Sequence, residues 1–103
     1  MDFPISATLL DACVLASLSK GDSYGYEITQ NLSSRLETSE STIYPVLRRL
    51  LTTGFLSSYD QPYQGRNRRY YSISTEGSNQ LANYRQSWRE FKNQIDSIMG
   101  SDS

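Results

Sequence analysis

The sequence predicts a mainly α fold with one β-hairpin, a winged helix-turn-helix followed by a long C-terminal dimerisation helix. Three observations predict it. In Ser41–Leu50, "STIYPVLRRL", Ile43, Val46, Leu47 and Leu50 form one apolar stripe of helical spacing. Two aromatic-rich segments, Phe55–Tyr59 and Arg69–Ile73, flank a polar turn and read as paired strands. Beyond them Leu81, Tyr84, Trp88, Phe91, Ile95 and Ile98 are spaced by 3, 4, 3, 4 and 3, a heptad seam. With two more helices ahead of Ser41, the order is helix, helix, helix, hairpin, helix.

The first helix is expected over about Ser6–Leu18, "SATLLDACVLASL", which is apolar on nearly every side and so wants burial on more than one. Lys20-Gly21-Asp22 ends it, with Gly21 suited to a left-handed cap. The second helix is expected to start from Asp22 or Ser23 and to run through "YGYEITQNLSSRL", with Tyr24, Ile28 and Leu32 as its stripe. Gly25 inside a helix costs about 1 kcal/mol relative to alanine, which a close approach of another backbone would justify. The third helix carries Pro45 at its sixth or fourth position, according to whether Ser39 or Ser41 caps it. Pro62, Gln64, Gly65 and Asn67 mark the hairpin connection, with Arg66, Arg68 and Arg69 at its tip. The final helix follows Thr75-Glu76-Gly77, and the "GSDS" tail frays. The expected organisation is a winged helix-turn-helix over residues 1–75 and a dimerisation helix over residues 76–100.

Composition narrows the function. The 103 residues contain no histidine and one cysteine, Cys13. Histidine triads, two-cysteine metal clips and intrachain disulfides are therefore excluded, and no Gly-rich phosphate loop is present. The chain is not expected to be an enzyme or to carry a cofactor or metal. No run of about 18 apolar residues suggests a membrane span. The start lacks the pattern of a signal peptide, so a cytoplasmic location is expected.

Net charge is only −1, but it is unevenly placed. Residues 1–40 set Lys20 and Arg35 against six acids, whereas residues 41–75 set five arginines against Asp60 alone. Salt screens charges beyond about 8–10 Å, so a basic segment can meet a polyanion on an acidic protein. In a helix-turn-helix the start of the second member enters the major groove. Ser41 and Thr42 suit phosphate oxygens or base edges, Tyr44 suits a phosphate, and Arg48 and Arg49 suit phosphates or guanine. The expected partner is double-stranded DNA. The alternative is a winged-helix module whose Arg66–Arg69 segment meets an acidic protein.

The sequence resembles the PadR-type transcriptional regulators. The matching stretches are "YGYEI" (Tyr24–Ile28), "STIYPVLRRL", Gly54 and "GRNRRYYSISTEG" (Gly65–Gly77), and the likeness covers roughly residues 8–99. With one helix after the wing, the chain looks like the small LmrR-like, multidrug-responsive subfamily. The resemblance implies a homodimeric winged helix on a pseudo-palindromic operator, a repressor released by a small molecule or another signal. It implies that Thr42, Tyr44 and Arg48 contact DNA from the recognition helix, and Arg66, Arg68 and Arg69 from the wing. Tyr24 and Tyr26 fall where the family's second helix approaches the DNA backbone or packs below it. Asn67 stands where the family's wing often has proline, and Leu51 where an acid is common. The heptad seam, Leu81, Tyr84, Trp88, Phe91, Ile95 and Ile98, is expected to form the dimer interface. The subfamily resemblance further implies a central cavity for a planar aromatic molecule, lined by Trp88 and Phe91 with Ile5, Thr8, Asp11 and Ala12. There Asp11 would favour cationic ligands.

Overall fold

Ser6 starts the first helix, α1 (Ala7–Leu18), by accepting a hydrogen bond from the Leu9 amide at 3.1 Å. The computed structural model describes residues 3–100; residues 101–103 of the expected fraying tail lie outside them. Leu10, Val14, Leu15 and Leu18 of α1 are buried. The helix ends at Ser19 in a right-handed conformation, and Gly21, at φ +151°, turns the chain beyond it instead of forming a left-handed cap.

A two-residue strand, β1 (Ser23–Tyr24), then precedes α2 (Gly25–Ser33). Tyr24 is thus an extended N-cap and not the first residue of the helical stripe, because its backbone is pairing with the sheet. Ser23 is buried, and its hydroxyl donates to the Glu27 carboxylate. Helix α2 buries Ile28, Thr29 and Leu32 and stops three residues short of the expected Leu36.

Helix α3 (Glu40–Thr52) follows the turn with Ser39 as N-cap and buries Ile43, Val46, Leu47 and Leu50. Pro45 sits at the sixth helical position, so the Ser41 carbonyl has no amide donor four residues on. Residue 45 is exposed, and water can satisfy that carbonyl.

The hairpin is longer than expected. Strands β2 (Leu56–Tyr63) and β3 (Arg66–Ile73) pair antiparallel along their whole length, from Leu56↔Ile73 to Tyr63↔Arg66. The connection is only Gln64-Gly65, with φ +52° and +79°, the left-handed pair of a type I′ turn. Pro62 pairs with Asn67 within the ladder. It fits because Tyr63↔Arg66, next to the turn, is a hydrogen-bonded pair, so Pro62 takes a non-bonded position on an edge strand. Strand β1 adds to the other side of β3, giving the order β1-β3-β2.

Helix α4 (Thr75–Met99) opens with the Ser74 hydroxyl accepting from the Gly77 amide at 3.0 Å and closes on Gly100 at φ +72°. Gly77 lies against the Phe55 carbonyl, where a Cβ would come within 2.1 Å of the oxygen. One core joins α1, α2, α3, Leu56, Tyr71 and Leu81. The architecture is a winged helix with a long C-terminal helix.

Candidate nucleic-acid interface

Alternation along the hairpin divides its side chains between two faces. Tyr71, Ile73 and Leu56 point to the core, and Asn67 and Arg69 share their face. Tyr59, Tyr63, Arg68 and Tyr70 occupy the other.

A groove of about 450 Å³ runs between β3, the start of α2 and α3. It is lined by Tyr26, Tyr44, Arg68 and Arg69 among the expected contacts, and by Tyr24, Gly25, Asn67 and Tyr71 besides. Tyr26 is more than half exposed. The Tyr44 ring packs on Gly25, where an added Cβ would lie 2.5 Å from it. The close approach that explains Gly25 is therefore an aromatic ring, not the expected backbone. Burial, reinforced by the charge of Glu40 and a hydrogen bond to its carboxylate, raises the Tyr44 pKa.

The outward face of α3 carries Ser41, Thr42 and Arg48, all exposed. The Ser39 hydroxyl lies 3.0 Å from that of Ser41 and 3.4 Å from that of Thr42 and does not cap the helix, whose Thr42 and Ile43 amides donate to the Ser39 carbonyl instead.

Three expected arginine contacts are engaged within the protein. Arg49 is paired with Asp11 of α1. Arg69 reaches Asp60 across the hairpin at 3.5 Å, with both side chains about half exposed. Arg68 is not a free tip residue: its guanidinium carbon sits 3.7 Å from the Tyr24 ring centre and 3.8 Å from that of Tyr63. Arg66, by contrast, is exposed at the start of β3.

The ring cluster around Arg68 was missed by sequence reasoning. Tyr59 stacks on Tyr70 at 5.7 Å and donates to Asp22 at 2.6 Å, while Tyr24 meets Tyr70 edge-on at 5.5 Å. The Asp22 hydrogen bond raises the Tyr59 pKa. The available signal was the Gln64-Gly65 turn, from which the register places Tyr59 opposite Tyr70.

The residues expected around a ligand separate into two groups. Trp88 borders an apolar groove of about 370 Å³ between α1 and α4, which Ile5 and Ala12 also line. A smaller hollow of about 160 Å³ joins it to Thr8 and Phe91, whose ring centre is 6.3 Å from that of Trp88. Asp11 lines neither, because its carboxylate turns to Arg49 and pairs with it. Cys13 faces the larger groove, and burial raises its pKa against the opposing effect of Arg35.

The heptad seam divides as well. Leu81 is 3% exposed and belongs to its own core, and Tyr84 packs against that core. Trp88, Phe91, Ile95 and Ile98 are 44%, 55%, 36% and 79% exposed. Among the described residues no helix is long and apolar enough to cross a membrane, and no acid or cysteine cluster could hold a metal.

The family model of the PadR-like transcriptional regulators matches residues 14–83. The protein smu.1704 of Streptococcus mutans is 41% identical, with TM-score 0.89 over 97% of this chain and 94% of that one. A PadR family transcription regulator of Clostridium difficile is 31% identical, with TM-score 0.81 over 87% and 97%. An uncharacterised protein of Lysinibacillus sphaericus is 35% identical over 87% of both chains. These likenesses do not favour a module for acidic proteins, and the family is one of regulators, not enzymes. The chain, with its wing and its hydroxyl- and arginine-bearing third helix, belongs to the PadR-like family of transcriptional regulators.

Proposed function

We propose that two copies of this chain bind a pseudo-palindromic operator in double-stranded DNA as a sequence-specific repressor. The observation that carries this reading is the convergence of Tyr26, Tyr44 and Arg69 on one groove, beside the exposed Thr42 and Arg48 of α3. Helix α3 would enter the major groove, with Thr42 and Arg48 at base edges and Ser41, Tyr44 and Tyr26 at phosphates. The wing, with Arg66 and Arg69, would follow the neighbouring backbone. Residues 76–100 act as the dimerisation helix, through the exposed Trp88, Phe91, Ile95 and Ile98. The test is fluorescence anisotropy with duplexes from upstream of the protein's own gene, titrated with salt. Tight binding to one duplex that falls steeply as salt rises is expected. Equal, weak affinity for every duplex overturns the reading.

The finer part of the reading is release by a planar aromatic molecule, the behaviour of the LmrR-like subfamily. It is supported by the half-exposed Trp88 between two apolar hollows on α1 and α4. Because Asp11 is already paired, neutral and cationic dyes should quench Trp88 fluorescence comparably. A panel of such dyes that leaves the emission unchanged removes this part.

A further inference from the structure

We infer that Arg68 is a positioning residue, a strut that fixes the outer half of the wing against the body, and not a phosphate contact. The inference rests on the DNA-binding reading and assigns one of its arginines a different task.

The geometry carries it. The guanidinium lies over the rings of Tyr24 and Tyr63, at 3.7 and 3.8 Å. One terminal nitrogen donates to the Tyr70 hydroxyl at 2.6 Å, and Nε is buried without a hydrogen-bond partner. Paired recognition of a phosphate needs two adjacent N–H groups presented together. Here the Nε edge is closed and one terminal nitrogen is held by Tyr70, so the paired N–H edge that a phosphate would grip is taken up inside the protein and only the other terminal nitrogen stays open.

The stacked residues also belong to different parts of the fold. Tyr24 lies in the body, in β1 and next to α2. Tyr63 is the last residue before the turn. Strand β1 pairs only with Tyr70 and Tyr71, so the hairpin beyond them has no third strand to hold it. Arg68 spans that gap. Its neighbour Arg69 projects from the opposite face of β3 and shares with Arg68 the lining of the groove beside α3, so the strut sets where Arg69 stands. Lysine cannot substitute, because it has no plane to lay against two rings.

The experiment compares Arg68→Lys, Arg68→Ala and Tyr63→Leu in the full chain, with two readouts. Without DNA, hydrogen exchange of the amides of residues 61 and 63–68 should quicken at least fivefold in all three. With the duplex that the wild type prefers, all three should lose about tenfold in affinity, while the slope of log K against log salt stays unchanged. Tyr63→Leu separates the roles, because it removes no charge. Rescue by lysine overturns the inference, as does a slope shallower by about 0.9 per protomer in Arg68→Ala, the mark of a lost phosphate contact. Wild-type behaviour of Tyr63→Leu does the same. A wild type that selects no duplex defeats the DNA-binding reading, and the exchange measurement then decides the strut by itself.

Discussion

Arg49, near the end of α3, donates to the carboxylate of Asp11, in the middle of α1. The contact joins α3 to the helix that borders the two apolar hollows. It also separates two adjacent arginines. Arg48 projects outward from α3, whereas Arg49, a helical step of 100° further round, turns back onto α1. Two charges that look equivalent in the sequence thus have different surroundings.

Arg48 and Arg49 should therefore respond differently to truncation. Arg48→Ala is expected to cost about 1–3 kcal/mol of affinity for the preferred duplex and to relax base preference at one position. Arg49→Ala should leave base preference unchanged and lower stability by less than about 1 kcal/mol, since the pair is partly exposed, at 45% and 15%. Anisotropy on a set of single-base operator variants, with thermal melts of each protein, checks both. A relaxed preference in Arg49→Ala would return that side chain to the DNA.

Two glycines make close approaches of different stiffness. A Cβ on Gly25 meets the Tyr44 ring at 2.5 Å, and a ring can swing aside. A Cβ on Gly77 meets the Phe55 backbone oxygen at 2.1 Å, and backbone in a tight connection cannot. Gly25→Ala should cost about 1–2 kcal/mol in the wild type and much less when introduced into a Tyr44→Ala protein. Gly77→Ala should cost more than about 3 kcal/mol, because α4 must shift off the turn before the sheet. Urea unfolding of these variants tests the order. A more stable Gly77→Ala protein would contradict it.

Much of this fold was legible because helical spacing is a local signal. Ile43, Val46, Leu47 and Leu50 declare the buried face of α3 within eight residues. The two-residue β1 was not legible, since Ser23-Tyr24 becomes a strand only through pairing with Tyr70 and Tyr71. Pro62 and Asn67 read as loop residues, yet the type I′ turn puts them at a ladder position where proline loses no hydrogen bond. The site was legible in residue type more than in role. Tyr44, Arg68 and Arg69 do gather on one groove. That Arg68 is held by rings, and Arg49 by an acid 38 residues away, depends on contacts that no local pattern encodes.

The heptad seam is one pattern in the sequence with two physical fates in the fold. Its first member, Leu81, is 3% exposed inside its own domain, while Phe91 and Ile98 present 55% and 79% of their surface to solvent. Truncating Leu81 to alanine should remove about 2–5 kcal/mol of folding stability through a core cavity, whether or not a second chain is present. Phe91→Asp and Ile98→Asp should leave each chain's fold intact, because neither side chain belongs to the core. Each would place a charge on the apolar end of α4, which a partner must desolvate. Sedimentation velocity across micromolar concentrations should show the aspartate variants shifted to monomer by at least tenfold in dissociation constant, with far-UV spectra unchanged. Operator affinity should fall with them, since two half-sites are then no longer bound together. If the wild type sediments as a monomer at these concentrations, or the aspartates leave a dimer undisturbed, the far end of α4 is not where the two chains meet.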